Sequence, residues 1–284
     1  TDYSRTFSRY DKLVYLRSGT NIGFGSANNL GMDHAKGEHF LLLNSDTVIF
    51  DKSIQRCLAL MKQAGNEKLG LLGCKLLNED GSYQPSFYPF IRNNLINYCI
   101  SNNPVLNRLF SIYKFFREPV EPRKVGDVSG AFMLLKKEVY KVLGGFDPDF
   151  FLYCEETEWC RNRISKQFDI VYYPDAHITH LGGRSAPGDL MFIQSQLSLA
   201  LYWYKTGFFH YIGYIIYSYF NSAFFLLQYL FSHREGRRSI RNSLVGFYHI
   251  QKYLFIDIPK YKPGYNSRIA PLVFKGARKM FFNN

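Results

Sequence analysis

Four stretches of this 284-residue chain bring together side chains able to hold a charged ligand or move a proton. In Leu41-Leu42-Leu43-Asn44-Ser45-Asp46-Thr47 an apolar run stops and an acid stands just past it. Open α/β sheets bind ligands outside the carboxyl ends of their strands. A carboxylate there can hold Mg²⁺ or Mn²⁺, which in turn neutralises a diphosphate. Asn, Ser and Asp are also ordinary turn formers, so these residues by themselves equally describe a plain turn. In Asn21-Ile22-Gly23-Phe24-Gly25-Ser26-Ala27-Asn28-Asn29-Leu30-Gly31, glycines open a helix whose first amides could face a phosphate or ribose. Asn28 and Asn29 are poor helix formers, which points to binding or capping.

The third stretch runs from Gly144 through Phe150, Phe151, Tyr153 and Cys154 to Glu155, Glu156, Glu158 and Trp159. An aromatic run here delivers adjacent carboxylates at a helix start. The helix dipole favours their ionised form, as a general base requires. Trp159 offers an apolar platform for a sugar ring. The plainer alternative is that the acids only complement the dipole. In the fourth, Tyr173 to Ser185, His180 could ligate a metal through a neutral nitrogen, and Arg184 could meet phosphate behind Gly182 and Gly183. A single loop histidine can also be merely exposed.

Alternating strands and helices must position these groups. Lys12–Leu16, His39–Leu43, Leu69–Leu76, Ala131–Leu135 and Asp169–Tyr173 read as short strands bounded by turn formers. Ser26–Ala35, with Gly37 as C-cap, reads as a helix, and so does Lys52–Gln63 behind an Asp51 N-cap. Lys137–Leu143 stops at two glycines, and Glu155–Lys166 has acids first and bases last. This order predicts a layered α/β fold with a mostly parallel sheet. Arg92–Lys124 reads as an irregular excursion or lid.

After Gly188 the character changes. Leu190–Lys205 reads as an amphipathic helix, and Gly207–Phe231 is 25 residues without a formal charge, long enough to span a bilayer. His210, Tyr214, Ser218, Asn221 and Gln228 recur at helical spacing, a polar stripe that suits an interfacial helix better. Arg234, Arg237, Arg238 and Arg241 follow at once and fit anionic headgroups. Residues 205–284 hold 12 Lys/Arg against 2 Asp/Glu, whereas the first 204 hold 23 against 21, so the net +12 belongs to the tail. Two core helices joined by a solvated basic link remain the bland alternative. The five cysteines match no zinc or redox spacing, which predicts structural thiols in a reduced, cytosolic setting.

In order and spacing these motifs resemble glycosyltransferase family 2, closest to its rhamnosyltransferase-like branch, over roughly residues 12 to 185. The carrying residues are Asn21 to Gly31, Leu41 to Thr47, Ser129-Gly130-Ala131-Phe132, Gly144 to Phe151, the Glu155 helix and His180 to Ser185. The resemblance implies a GT-A three-layer sandwich with a mixed, mostly parallel sheet over residues 1–188, with a helical, membrane-associating region at 189–284. It also implies a nucleotide-sugar donor and inversion at the anomeric carbon. Asp46 and His180 would hold Mg²⁺ or Mn²⁺. Asn21, Gly25, Asn28, Asn44, Gly130, Ala131 and Arg184 would line the donor side, Gln84 and Trp159 the acceptor side. Glu156 would be the base, with Glu155 beside it. Asn44 replaces the family's first Asp, and Glu156 the usual Asp, which sets the carboxylate one methylene further out. Family members open with a strand–helix–strand unit that reads the nucleotide base, which the resemblance would place before Thr1.

The expected activity is transfer of a sugar, plausibly L-rhamnose from dTDP-rhamnose, to a lipid-linked or polysaccharide acceptor. The expected setting is the inner face of the membrane, with anionic lipid as partner. Rival expectations are a GT-A-fold binding or scaffold protein, and a basic nucleic-acid binder that lacks any recognisable nucleic-acid motif. The sequence is silent on oligomeric state.

Overall fold

The protein is described from a computed structural model, which covers residues 4–50, 52–89, 94–102, 108–109, 118–182, 188–231, 251 and 254. In chain order its helices are α1 Ser4–Phe7, α2 Phe24–His34, α3 Ser53–Lys62, α4 Leu95–Asn102, α5 Lys137–Leu143, α6 Glu155–Glu158, α7 Gly188–Thr206 and α8 Phe208–Phe231. Its strands are β1 His39–Leu43, β2 Thr47–Ile49, β3 Leu69–Leu77, β4 Tyr83–Gln84, β5 Phe87–Tyr88, β6 Arg123–Lys124, β7 Asp127–Val128, β8 Phe132–Lys136 and β9 Asp169–His180.

Among the described residues one seven-stranded sheet runs β1-β8-β3-β9-β2, with β4 on β3 and β6 on β9; β5 and β7 form a separate pair. Side chains alternate across it, as strand geometry requires. Phe40, Leu42, Leu71, Met133 and Leu135 face a core shared with Trp159, Cys160 and Ile164. Phe132, Leu134, Leu72, Cys74 and Leu76 face the other way, onto Cys57 and Met61 of α3. Helices on both faces of a sheet make the three layers foreseen.

The sheet is mixed, as the resemblance implies, but it is not mostly parallel. Among the described residues only β3–β9 pairs in parallel, because β8 enters between β1 and β3 antiparallel to both. Lys12–Leu16 forms no strand: Leu13 and Val14 are exposed and no strand pairs with them. β9 extends seven residues past the expected Tyr173 end, through Pro174. Proline gives no ladder donor. The strand accommodates it by a register jump, from Cys74 opposite Tyr173 to Lys75 opposite His177.

α2 ends on Ala35 in extended conformation, so Gly37 is not its cap, and the proposed Asp51 cap lies outside the described residues. The excursion after Arg92 contains α4, which lies against α8: a Cβ on Gly213 would stand 2.5 Å from Leu95 Cδ2. The expected boundary at 188 falls between elements that share one hydrophobic cluster, in which Phe150 packs with Leu197, Leu201 and Trp203 of α7. All five cysteines are free thiols.

Candidate active site

Two groups of side chains meet at the end of the sheet where β1 stops. The first is built on the Asn44–Thr47 turn and the last residue of β9. The Thr47 hydroxyl donates to Asn44 O at 2.7 Å and closes the turn. β2 pairs Thr47 with His180, which brings the imidazole to the turn. His180 Nε2 lies 3.4 Å from Asp46 Oδ1 and 3.4 Å from Asn44 Nδ2. On its other side His180 Nδ1 is 2.8 Å from Gln84 Oε1.

A directed chain of hydrogen bonds settles which ring nitrogen carries the proton. Gln84 Nε2 donates to Asn78 Oδ1 (3.1 Å), and Asn78 Nδ2 donates to Ser82 Oγ (2.9 Å). The Ser82 hydroxyl donates to Asp80 Oδ1 (2.6 Å). Asp80 is held below the usual carboxylate range by the Ser82 hydroxyl and amide. Every amide in the chain is thereby oriented, and Gln84 presents oxygen to His180. His180 therefore donates from Nδ1 and, when neutral, turns an unprotonated Nε2 toward the Asp46 carboxylate. A neutral imidazole oriented in this way by a second group could serve as a metal ligand beside the carboxylate. The pair therefore fits a divalent ion. Among the described residues no third His, Cys, Asp or Glu joins them. Gln84, expected on the acceptor side, instead orients His180.

The second group is built around α6. Tyr153 and Cys154 both have positive φ, 70° and 66°. This conformation costs a bulky residue about 1 kcal/mol or more and tends to persist at functional sites. Glu155 is buried, with its Cβ near the space beside Gly25 and Phe146. Burial, then the charge of Glu156, holds its carboxyl well above the usual range. Glu156 lines a 310 Å³ cavity with Asp127, Arg161, Gln196, Tyr202 and Trp203. Burial first, and the Asp127 charge after it, push Glu156 up to about 7 from an ordinary 4.5, against the pull of backbone donors that include Gly130 N–H. Asp127 is held by Arg161 through two 3.1 Å contacts, both side chains being buried.

The two groups are neighbours. Asn44 N–H donates to Ala131 O (3.2 Å). A Cβ on Gly130, next in the chain, would stand 3.6 Å from Glu156 Oε1 and 3.2 Å from the Phe24 ring. Asp46 and His180, Asn44, Ala131, Gly130 and Glu156 thus form a continuous arc.

Other expected residues take structural places. Trp159 is buried: its indole N–H donates to Gly144 O (3.0 Å) and its ring packs 4.5 Å from that of Phe146. It cannot be an acceptor platform, because a π turn over Trp159–Arg163 rotates it into the core. A Cβ on Gly25 would lie 2.8 Å from Phe146 Cβ, so this glycine permits close packing. Asn21 accepts from Gly23 N–H within its own loop, and Asn28 donates to Phe24 O one turn back. Asn29 clamps the backbone of Phe146 with two 2.8 Å bonds. Arg184 lies outside the described residues.

The sequence reading missed Asp127 and Arg161. It also missed the cavity wall from α7, whose Ser198 and Gln194 bond to Leu152 O while Lys205 holds Asp147 and Asp149. Asp127 stands three residues before Gly130, and Arg161 five after Glu156; proximity to the motifs was the available signal.

Residues 4–197 match the family model described as glycosyltransferase like family 2, and the chain belongs to that family. It is 28% identical over 196 residues to the N-acetylglucosaminyl-diphospho-decaprenol L-rhamnosyltransferase of Mycobacterium tuberculosis. That match takes in 64% of this chain and spans 62% of the mycobacterial protein's length. It is 21% identical over 216 residues to the rhamnosyltransferase WbbL of Escherichia coli, covering 72% of this chain and 75% of WbbL. Among solved structures, the mannosyltransferase PcManGT of Pyrobaculum calidifontis, in complex with GDP-Man and Mn²⁺, aligns with all of this chain and 76% of its own at 11% identity and a TM-score of 0.49.

Proposed function

We propose that the chain is an inverting glycosyltransferase that moves a sugar from a nucleotide-sugar donor to an acceptor hydroxyl, working peripherally on the inner face of a membrane. The observation that carries this reading is the arc in which the Asp46–His180 pair and Glu156 meet through Gly130 and Ala131. Asp46 and His180 would hold Mg²⁺ or Mn²⁺, which when bound offsets the charge of a diphosphate leaving group. Asn44 and Gln84 hold the imidazole with Nε2 turned toward Asp46. The acceptor lies in the cavity beside Glu156, walled by Tyr202 and Trp203. Glu156, ionised, takes the proton of the acceptor hydroxyl as that oxygen bonds to the anomeric carbon and the bond to the diphosphate breaks. Glu155, whose carboxyl burial and the charge of Glu156 hold well above the usual range, stands beside it.

Rhamnosyltransferases among the relatives support L-rhamnose, from dTDP-rhamnose, as the sugar moved. The mycobacterial relative's name supports a lipid-linked acceptor over a free polysaccharide. The test is transfer from dTDP-rhamnose with Mn²⁺, measured for the wild type, Asp46→Ala and Glu156→Gln. Both variants are expected to lose transfer; wild-type rates in either would overturn the roles of Asp46 and Glu156.

A further inference from the structure

The polarity of α8 is inverted relative to an ordinary surface helix. At 3.6 residues per turn, Phe209, Ile212, Ile216, Phe220, Leu227 and Leu230 fall within an arc of roughly 120°. All six are exposed, from 37% for Ile212 to 85% for Phe209. Phe208, Tyr219 and Leu226, also exposed, share this arc. The opposite side carries the polar stripe read in the sequence, and its middle, Tyr214 and Ser218, faces the protein. Tyr214 and Ser218 are buried. The Tyr214 hydroxyl is 3.1 Å from Gln196 Oε1, the Ser222 hydroxyl is 3.2 Å from Gln251 Nε2, and the His210 ring stacks on Trp203 at 5.8 Å. Among the described residues no helix is long and apolar enough to cross a membrane. The outward face is therefore an apolar surface on a helix whose other side is already committed to protein.

The geometry points to this face of α8 as the surface that sits in the headgroup–acyl boundary of an anionic bilayer. This deepens the peripheral-membrane part of the proposed function. Charge selects the occupant. Directly after Phe231, residues 232–284 carry 11 Lys/Arg against 2 Asp/Glu. An apolar helix face continuous with a basic stretch matches acyl chains below and anionic headgroups above. A second copy is the poorer partner, because each chain brings a net charge of +9 in residues 232–284.

The placement has a functional consequence. α8 packs on α7, whose Gln196, Tyr202 and Trp203 line the cavity beside Glu156. Packed helix axes lie about 8–10 Å apart, so the acceptor cavity stands one helix away from the lipid surface. A lipid-anchored acceptor would reach it without leaving the bilayer.

The test is flotation of the full chain with vesicles of neutral phosphatidylcholine, and of phosphatidylcholine with phosphatidylglycerol. It uses the wild type and the triple variant Phe209→Glu, Ile216→Glu, Phe220→Glu, whose sites are exposed and away from the cavity. The wild type is expected to float with the anionic vesicles and more weakly with the neutral ones. The triple variant is expected to bind at least about tenfold more weakly, with unchanged circular dichroism and unchanged hydrolysis of nucleotide sugar in vesicle-free buffer. Equal flotation of variant and wild type would overturn the inference. So would a wild-type dimer that the triple variant dissociates, or a wild-type monomer that ignores vesicles and gains binding when residues 255–284 are deleted. Flotation without any transfer or hydrolysis would leave this surface standing and sink the enzymatic reading instead.

Discussion

Replacing Glu156 by Gln separates its chemistry from its cost to the fold. The carboxyl is raised to about 7, mainly by burial and then by Asp127. A general base works only when ionised, so kcat/KM of the wild type should rise about tenfold per pH unit below 7 and level off above it. The substitution keeps the side-chain shape and removes the proton acceptor; such losses run to roughly 10²–10⁴-fold. The same raised carboxyl opposes folding at high pH. Below about pH 4.5 the group is protonated whether the chain is folded or not, and contributes nothing. Between 4.5 and 7 the unfolded chain ionises first, so stability falls as pH rises. Above 7 the penalty is complete: 2.5 units at 1.36 kcal/mol each, about 3 kcal/mol. Glu156→Gln carries no such penalty. At pH 8 it should melt about 5 °C above the wild type, and at pH 4 the two should melt together. Scanning calorimetry at the two pH values and a pH–rate profile give the readouts. A variant that keeps more than about a tenth of wild-type transfer, or melts lower than wild type at pH 8, would refute the placement of Glu156 as a buried base.

Three further outcomes follow from the geometry. Gln84→Ala removes the acceptor for His180 Nδ1 and lets the imidazole change tautomer; Mn²⁺ affinity by titration calorimetry should weaken about 10–100-fold, while Ser82→Ala, two links further out, should have a smaller effect of the same sign. Trp159→Phe leaves Gly144 O without its donor and opens space beside Phe146, so denaturant unfolding should show a loss of about 2–3 kcal/mol; a raised acceptor KM with unchanged stability would instead restore Trp159 to the acceptor site. Asn29→Ala breaks both 2.8 Å bonds to the Phe146 backbone, which should cost about 1–3 kcal/mol and lower kcat through the loop leading to Glu156.

The sequence determined what could be read from residues close together in the chain. Short apolar runs ended by turn formers gave β1, β3 and β8 nearly to the residue, and Gly144 marked the end of α5. Asp46 at a strand's end and Glu156 at a helix start were visible because each motif is contiguous. Whatever depends on distant partners was decided by tertiary structure. Gln84 and His180 are 96 residues apart, and only the pairing of β4 and β9 onto β3 makes one orient the other. Trp159 shows the limit clearly: an aromatic beside a cluster of acids reads as a sugar platform until a π turn rotates it inward. The stripe on α8 is the same lesson. Helical spacing located both of its faces, but periodicity has no sign, and it was the packing against α7 that turned the polar face in and left the apolar face out.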